Sequence, residues 1–170
     1  MIMVPIKEAL TFDDVTLAPK YSEILPSETD TSIVLTNFLN LRVPLLSSAM
    51  DTITESKMAI AMAKAGGLGV IHRNLDIINQ IKEIKKVKKE KLLVGAAVGA
   101  GPNEFKRAEM ILKENIDMIV VDTAHGHTKK VADIIKFIKK KKNTKTALCA
   151  GNIATAEAAK FLYKLGVDVI

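Results

Sequence analysis

Short apolar runs recur along the chain. They are Val43-Pro44-Leu45-Leu46, Leu68-Gly69-Val70-Ile71, Leu92-Leu93-Val94-Gly95, Met118-Ile119-Val120-Val121, Thr146-Ala147-Leu148-Cys149 and Val167-Asp168-Val169-Ile170. Their spacing of about 25 residues is the length of one strand, one helix and two short loops. Most runs are apolar on both faces rather than alternating. That pattern predicts strands of a parallel sheet covered on both sides.

Helical periods fill the gaps. Ile77, Ile78, Ile81, Ile84 and Val87 form one stripe, and Val131, Ile134, Ile135 and Ile138 another. Phe105, Ala108, Ile111 and Leu112 fit a third face. The first helix is expected to open on Thr52-Ile53-Thr54-Glu55, a capping-box pattern, and to stop at Gly66-Gly67. Asp76, Asn103 and Thr155 are candidate N-caps, and Gly166 a stop for the last helix.

Strict strand–helix alternation yields an α/β fold, either a doubly wound sheet or a barrel. A doubly wound nucleotide fold usually has a glycine-rich turn after its first strand. Here that strand leads into Ser47-Ser48-Ala49-Met50-Asp51, without glycine. The regular period favours a parallel (βα)8 TIM-barrel type. Such a barrel needs about 200 to 250 residues or more. Residues 43–170 therefore read as a partial barrel of about five βα units and the start of a sixth strand, with residues 1–42 as an irregular lead-in.

Composition refines this picture. The chain has 170 residues, 48% of them hydrophobic, and no run long enough for a membrane span. Met1-Ile2-Met3-Val4-Pro5, followed by Lys7 and Glu8, lacks the features of a signal peptide. One cysteine, Cys149, excludes an intrachain disulfide framework, and a reducing cytoplasm fits best. The net charge of +6 raises the question of nucleic acid. However, the lysines of 82–91 and 136–145 fall between the apolar stripes, as on solvated helix faces, and no aromatic residues interleave with them. No nucleic-acid or membrane partner is expected.

Chemistry in a parallel barrel gathers at the C-terminal ends of the strands. There stand Ser47-Ser48-Ala49-Met50-Asp51-Thr52, His72-Arg73-Asn74, Gly95 through Gly101, Asp122-Thr123-Ala124-His125-Gly126-His127 and Ala150-Gly151-Asn152. Together they predict one mouth suited to a polar ligand. Each has a plainer reading. Ser47, Ser48 and Asn152 suit turns, Met50 a core, and Asp122 a helix N-cap. The Gly99–Gly101 turn is explained by loop geometry, or by close approach of a ligand. His125 and His127 form an HxH pair without further ligands, weak ground for a metal site. Cys149, inside an apolar strand, reads as inert.

Six of these motifs, in order and spacing, resemble the inosine monophosphate dehydrogenase family, which it shares with guanosine monophosphate reductase. They are Leu10-Thr11-Phe12-Asp13-Asp14-Val15, Ser47 through Thr52, Gly66 through His72, Val94 through Gly99, Asp122 through His127, and Ala150-Gly151-Asn152. The resemblance covers nearly the whole chain and corresponds to the N-terminal portion of a catalytic domain. It implies a (βα)8 barrel that oxidises inosine monophosphate to xanthosine monophosphate for guanine nucleotide synthesis. A cysteine attacks the purine, hydride passes to NAD, and water hydrolyses the adduct. It also implies a homotetramer and a monovalent cation such as potassium. By resemblance, Ser48, Met50 and Asn152 would contact the nucleotide substrate. Asp122, Thr123 and Ala124 would bind NAD, with Asp122 accepting from a ribose diol.

The family's nucleophilic cysteine lies on a loop after the sixth strand, expected beyond Ile170. No catalytic residue and no metal ligand is therefore expected within the 170 residues, and the chain alone is expected to be inactive. Many members insert paired regulatory (CBS) modules between the second helix and third strand. Here Lys89-Glu90-Lys91 joins the two directly, so no such domain is expected. Guanosine monophosphate reductase is the nearest alternative, although it typically has Asn before the Met of Ser-Ser-Ala-Met-Asp. A non-catalytic nucleotide-binding partial barrel is a second, and a metal hydrolase using His125 and His127 a third.

Overall fold

A computed structural model describes residues 8–170. The reading of the N-terminus as lacking a signal peptide rests chiefly on residues 1–7, which lie outside the described residues. Two units are separated at Asp30 and Thr31. In the first, residues 8–30 form turns and irregular backbone, without a strand or α-helix. Asp14 accepts hydrogen bonds from the Thr11 N–H and hydroxyl at 2.8 and 3.0 Å. A short 3-10 turn spans Pro26–Glu28, where the Glu28 carboxylate accepts from the Leu25 N–H at 2.9 Å.

The second unit begins with a hairpin that the lead-in reading did not anticipate. Strand β1 (Ile33–Thr36) pairs antiparallel with β2 (Leu39–Leu41). Five parallel strands follow: β3 (Leu46–Ser47), β4 (Leu68–Ile71), β5 (Gly95–Val98), β6 (Met118–Asp122) and β7 (Ala147–Gly151). Helices α1 (Ser56–Ala65), α2 (Ile77–Lys89), α3 (Glu104–Leu112), α4 (Lys129–Lys141) and α5 (Ala156–Lys164) alternate with them. Strand order equals chain order. A doubly wound sheet would reverse direction at a switch point, and this one does not. It curls as a half-barrel, and a sixth strand begins with the bridge from Cys149 to Val169.

Alternation along each strand divides the core. Ile71, Ala96, Val98, Ile119, Val121, Leu148 and Ala150 join Ile84, Val87, Ile111 and the stripe Val131, Ile134, Ile135 and Ile138 beneath the helices. On the other face, Leu68, Met118 and Ala147 enclose Leu39 and Leu41 of the hairpin. The hairpin thus closes the inner face where the strands begin, and leaves the opposite end free. Burying both faces explains the nearly continuous apolar runs.

Several local expectations shift for physical reasons. The helix α1 starts at Ser56 with no side-chain cap from Glu55, so the capping box does not form. Thr54 instead turns its hydroxyl to Ser47 and Ser48, and the Ser56 N–H donates to Glu83 on α2 at 2.9 Å. In α2 the buried stripe is Gln80, Ile81, Ile84 and Val87, whereas Ile78 is 63% exposed. Strand β3 starts later than Val43 because Pro44 has no N–H to give a ladder and the Leu45 N–H turns back to Val43. Strand β5 starts at Gly95, since the preceding N–H, of Val94, bonds to the Asp117 carboxylate. Asp76 and Thr155 cap α2 and α5 as expected, by accepting from Asn79 and Ala158. Asn103 makes no such bond.

Two glycines are dictated by geometry. Gly66 ends α1 at φ 103°, in the left-handed region. The Arg42 guanidinium meets the freed carbonyls of Lys64 and Ala65 there, each at 3.3 Å. Gly69 lets β4 approach α1 so closely that a methyl group there would lie 2.4 Å from Ala59 Cα.

Candidate functional site

The open end of the half-barrel is built from loops whose internal polar needs are mostly met. After β3, the buried Thr54 hydroxyl bonds the Ser47 hydroxyl at 3.0 Å and the Ser48 carbonyl at 2.6 Å. The Met50 carbonyl accepts the N–H groups of Ile53 and Thr54. This fixes the loop and consumes Ser47, but it leaves the exposed Ser48 hydroxyl without a partner among the described residues. Thr52 sits at φ 60°. For a β-branched residue that conformation costs on the order of 1–3 kcal/mol.

After β4, His72 is buried and accepts the Asn74 N–H at Nδ1, 3.2 Å away. Its Nε2 then carries the proton and faces Glu55 at 3.4 Å. The Asn74 side chain donates to Asp51 at 2.8 Å, joining the first two loops. After β6, the Thr123 N–H and hydroxyl both donate to the Gly151 carbonyl, at 3.0 and 2.8 Å. The Asn152 N–H returns to the Thr123 carbonyl at 2.7 Å, and the Gly126 N–H reaches the Asn152 carbonyl at 2.7 Å. Backbone bonds thus knit the β6 and β7 loops together. Asp122 is not a helix cap, since Thr128 caps α4.

Ala49, Met50, Asp51, Arg73, Asn74 and Asp122 line one open cavity of about 370 Å³. In a flat sheet, β3 and β6 would be about 14 Å apart at the usual strand spacing. Curling brings Met50 and Asp122 to the same cavity. Asp122 is half-buried, Arg73 is exposed, and neither forms an ion pair or side-chain hydrogen bond among the described residues. A larger cleft of about 630 Å³ lies between the first turns of α2 and α3, lined by Asp76, Ile78, Asn103 and Lys106 among others. It lies outside the strand ends, and Ile77, Ile78, Pro102 and Met110 make half of its lining apolar. The smaller cavity is the better candidate.

Of the residues singled out from the sequence, Met50 and Asp122 share the cavity. Ser48 sits on the same loop as Met50. Thr123 and Asn152 meet beside it, and Ala124 is exposed next to them. Arg73, Asp51 and Asn74 were visible only as strand-end polar residues. Their signal was charge, since Arg73 is the one cation lining that cavity. His127 packs against Phe161 at 4.7 Å between ring centroids. Among the described residues no three His, Cys, Asp or Glu gather as a metal site. Cys149 faces the inner side of β7. Burial, with the nearby negative charge of Asp122, pushes its thiol up to about 11. A thiol so protonated is a poor nucleophile. No helix among the described residues is long and apolar enough to cross a membrane.

Parallel strands in sequential order, helices outside, and charged groups gathered at the strand ends define a partial (βα) barrel of the enzyme type. The model of the IMP dehydrogenase / GMP reductase domain matches residues 9–170, so the chain belongs to that family. It is 39% identical to an inosine-5'-monophosphate dehydrogenase of Borreliella burgdorferi over 214 residues, covering 96% of this chain and 53% of the relative. It is 36% identical to one of Cryptosporidium parvum over 208 residues, covering 97% and 51%. Another, of Aquifex aeolicus, is 28% identical over 293 residues, covering 97% and 60%. The chain spans about half the length of the relatives it matches. Each alignment is longer than the 170 residues of this chain, so those relatives carry residues within the matched span that it lacks.

Proposed function

We propose that this barrel serves NAD-dependent oxidation of inosine monophosphate to xanthosine monophosphate. The observation that carries the reading is the unpaired Asp122 carboxylate, in one cavity with the unpaired Arg73 guanidinium, inside a member of this family. Asp122 is half-buried, and charges so placed are normally satisfied, while Arg73 adds an exposed cation beside it; a ligand with diol donors and phosphate acceptors suits the two. NAD has both, and when bound it supplies the hydride acceptor.

The chain's own residues bind and orient. Asp122 accepts from a ribose diol. The Ser48 hydroxyl donates to a phosphate oxygen of inosine monophosphate, and the Met50 thioether packs on the purine face. Asn152 offers a donor and an acceptor between substrate and cofactor. Thr123 and Ala124 line the cofactor side, Thr123 through its backbone and methyl because its hydroxyl is engaged. Cys149 is not the nucleophile, so the covalent step requires a cysteine elsewhere in the native protein. The same reading includes a monovalent cation, a homotetramer and a cytoplasmic setting.

The test uses the native, full-length protein, comparing inosine monophosphate plus NAD with guanosine monophosphate plus NADPH. Turnover with the first pair is expected. Replacing Asp122 by Ala should raise the KM for NAD about tenfold or more, with a smaller effect on the KM for inosine monophosphate. Turnover of the second pair alone, or an unchanged KM for NAD, would refute the proposal. The 170-residue chain by itself should form no NADH.

A further inference from the structure

Behind the mouth, three polar side chains form a continuous network unrelated to the helical stripe that surrounds them. Gln80 is fully buried on the inward face of α2, where an apolar residue would normally sit. Its amide N–H group donates to the carbonyls of Ala97 at 2.9 Å and Ile71 at 3.4 Å, the tips of β5 and β4. Its oxygen accepts from Arg107 Nη1 at 2.7 Å. Arg107 also donates to the Leu75 carbonyl at 3.0 Å and to Glu104 at 3.3 Å. The other Glu104 oxygen accepts the Gly99 N–H at 2.6 Å.

We propose that Gln80, Arg107 and Glu104 are positioning residues that fix the β5–α3 loop, and through Gly99 the Arg73 guanidinium, for binding of the dinucleotide. Gly99 is held between two side chains. A methyl group there would lie 3.2 Å from Arg73 Cζ and 3.3 Å from Glu104 Cγ. The Glu104 carboxylate accepts the Gly99 N–H, and Arg73 rests against the same glycine where a side chain would stand. Arg73 lines the cavity, so displacement of Gly99 moves the wall on which the cation rests. The network is satisfied at each link, and a satisfied buried network specifies one arrangement. Interactions fixed before binding improve affinity by reducing what must be ordered on binding. The inference rests on the dinucleotide reading of the mouth.

Glu104→Gln keeps the shape and removes the charge; Arg107→Lys keeps the charge and loses the fork. Two readouts separate the claims. In the 170-residue chain, the Gly99 amide proton should show strong hydrogen-exchange protection, falling at least about tenfold in Glu104→Gln while protection of the β6 amides is unchanged. In the native enzyme, both variants should raise the KM for NAD about fivefold to tenfold, with kcat altered less than about twofold; Glu104→Asp should recover part of the loss. An unchanged Gly99 amide overturns the network itself. A changed amide with unchanged KM overturns its role in binding. If the native enzyme does not turn over NAD, the dehydrogenase reading and the binding role fail together, while the amide readout still decides whether the loop is held this way.

Discussion

Asp117 is the residue whose removal should most clearly expose how this half-barrel closes its sheet at the strand starts. Its carboxylate accepts the N–H of the fully buried Val94 at 2.8 Å and the Lys88 ammonium at 2.9 Å. Its own N–H donates to the Val94 carbonyl at 3.0 Å. Asp168 repeats the arrangement two strand–helix units later. There the carboxylate accepts from the Leu148 N–H at 2.8 Å and from Lys142 at 3.1 Å, and the Asp168 N–H donates to the Leu148 carbonyl at 2.8 Å. Asp117→Ala leaves a buried N–H without an acceptor, which costs about 1–3 kcal/mol. The ion pair is about a quarter exposed on either side and adds at most about 1 kcal/mol. The expected loss is therefore about 1–4 kcal/mol for Asp117→Ala and under about 1 kcal/mol for Lys88→Met. Urea unfolding of the 170-residue chain, with equal slopes verified, measures both. If the two variants lose the same stability, the bond to Val94 is not what Asp117 contributes, and the clamp is wrong.

Gly69→Ala should cost about 3 kcal/mol or more by forcing α1 away from β4, whereas Gly101→Ala, which meets open space, should stay within about 0.5 kcal/mol in the same assay. Alkylation of Cys149 near neutral pH should run about a hundredfold slower in the folded chain than in urea, because its thiol is raised from 9.0 to about 11. Equal rates would show that the strand does not shield it. The raised value also means a stability contribution present below the unfolded pKa and lost as pH climbs toward about 11. Glu83 behaves oppositely. Burial resists its ionisation, but hydrogen bonds from Lys86 and Ser56 outweigh that and hold the carboxyl below its usual range. Its contribution exists above the unfolded value and fades as pH falls through the lowered one, so Glu83→Gln should flatten the acid side of a stability profile.

Where burial alone decided structure, the chain was legible. The stripe of α4 is buried residue for residue, and β4 occupies the expected four positions. Side chains that bond to distant backbone were not legible. Val94 leaves the ladder for Asp117, Thr54 turns its hydroxyl to the Ser48 carbonyl, and Gln80 takes the buried position in place of Ile78, bonding Ala97 and Arg107. The hairpin at Ile33–Leu41 was missed because its apolar residues are few and their partners, Leu68, Met118 and Ala147, are far along the chain. At the site, the strand-end loops could be named in advance, but not which residue of each turns into the cavity. Ser47 and Ser48 are neighbours of one type, and only the contact with Thr54 distinguishes the engaged hydroxyl from the free one.

That distinction orders the whole mouth. Thr54, Thr123, Asn74 and the Gln80 network spend their polar groups on loops and strand tips, so the scaffold leaves few of its own needs unmet. Among the charged groups lining the cavity, Asp122 and Arg73 are the exceptions. A carboxylate and a guanidinium in one cavity would pair if the loops allowed it, since a charge-assisted fork is among the stronger contacts available to them. They do not pair: Asp122 stands in β6 opposite Gly151, and Arg73 lies against Gly99. Opposite charges held apart at a mouth attract a ligand that carries both kinds of partner. A bare phosphate would satisfy Arg73 and repel Asp122. A nucleotide, with a ribose diol beside its phosphate, suits both, and under the proposed dehydrogenase reading that holds for substrate and cofactor alike, so the split between the two KM values in Asp122→Ala decides which of them the cavity holds.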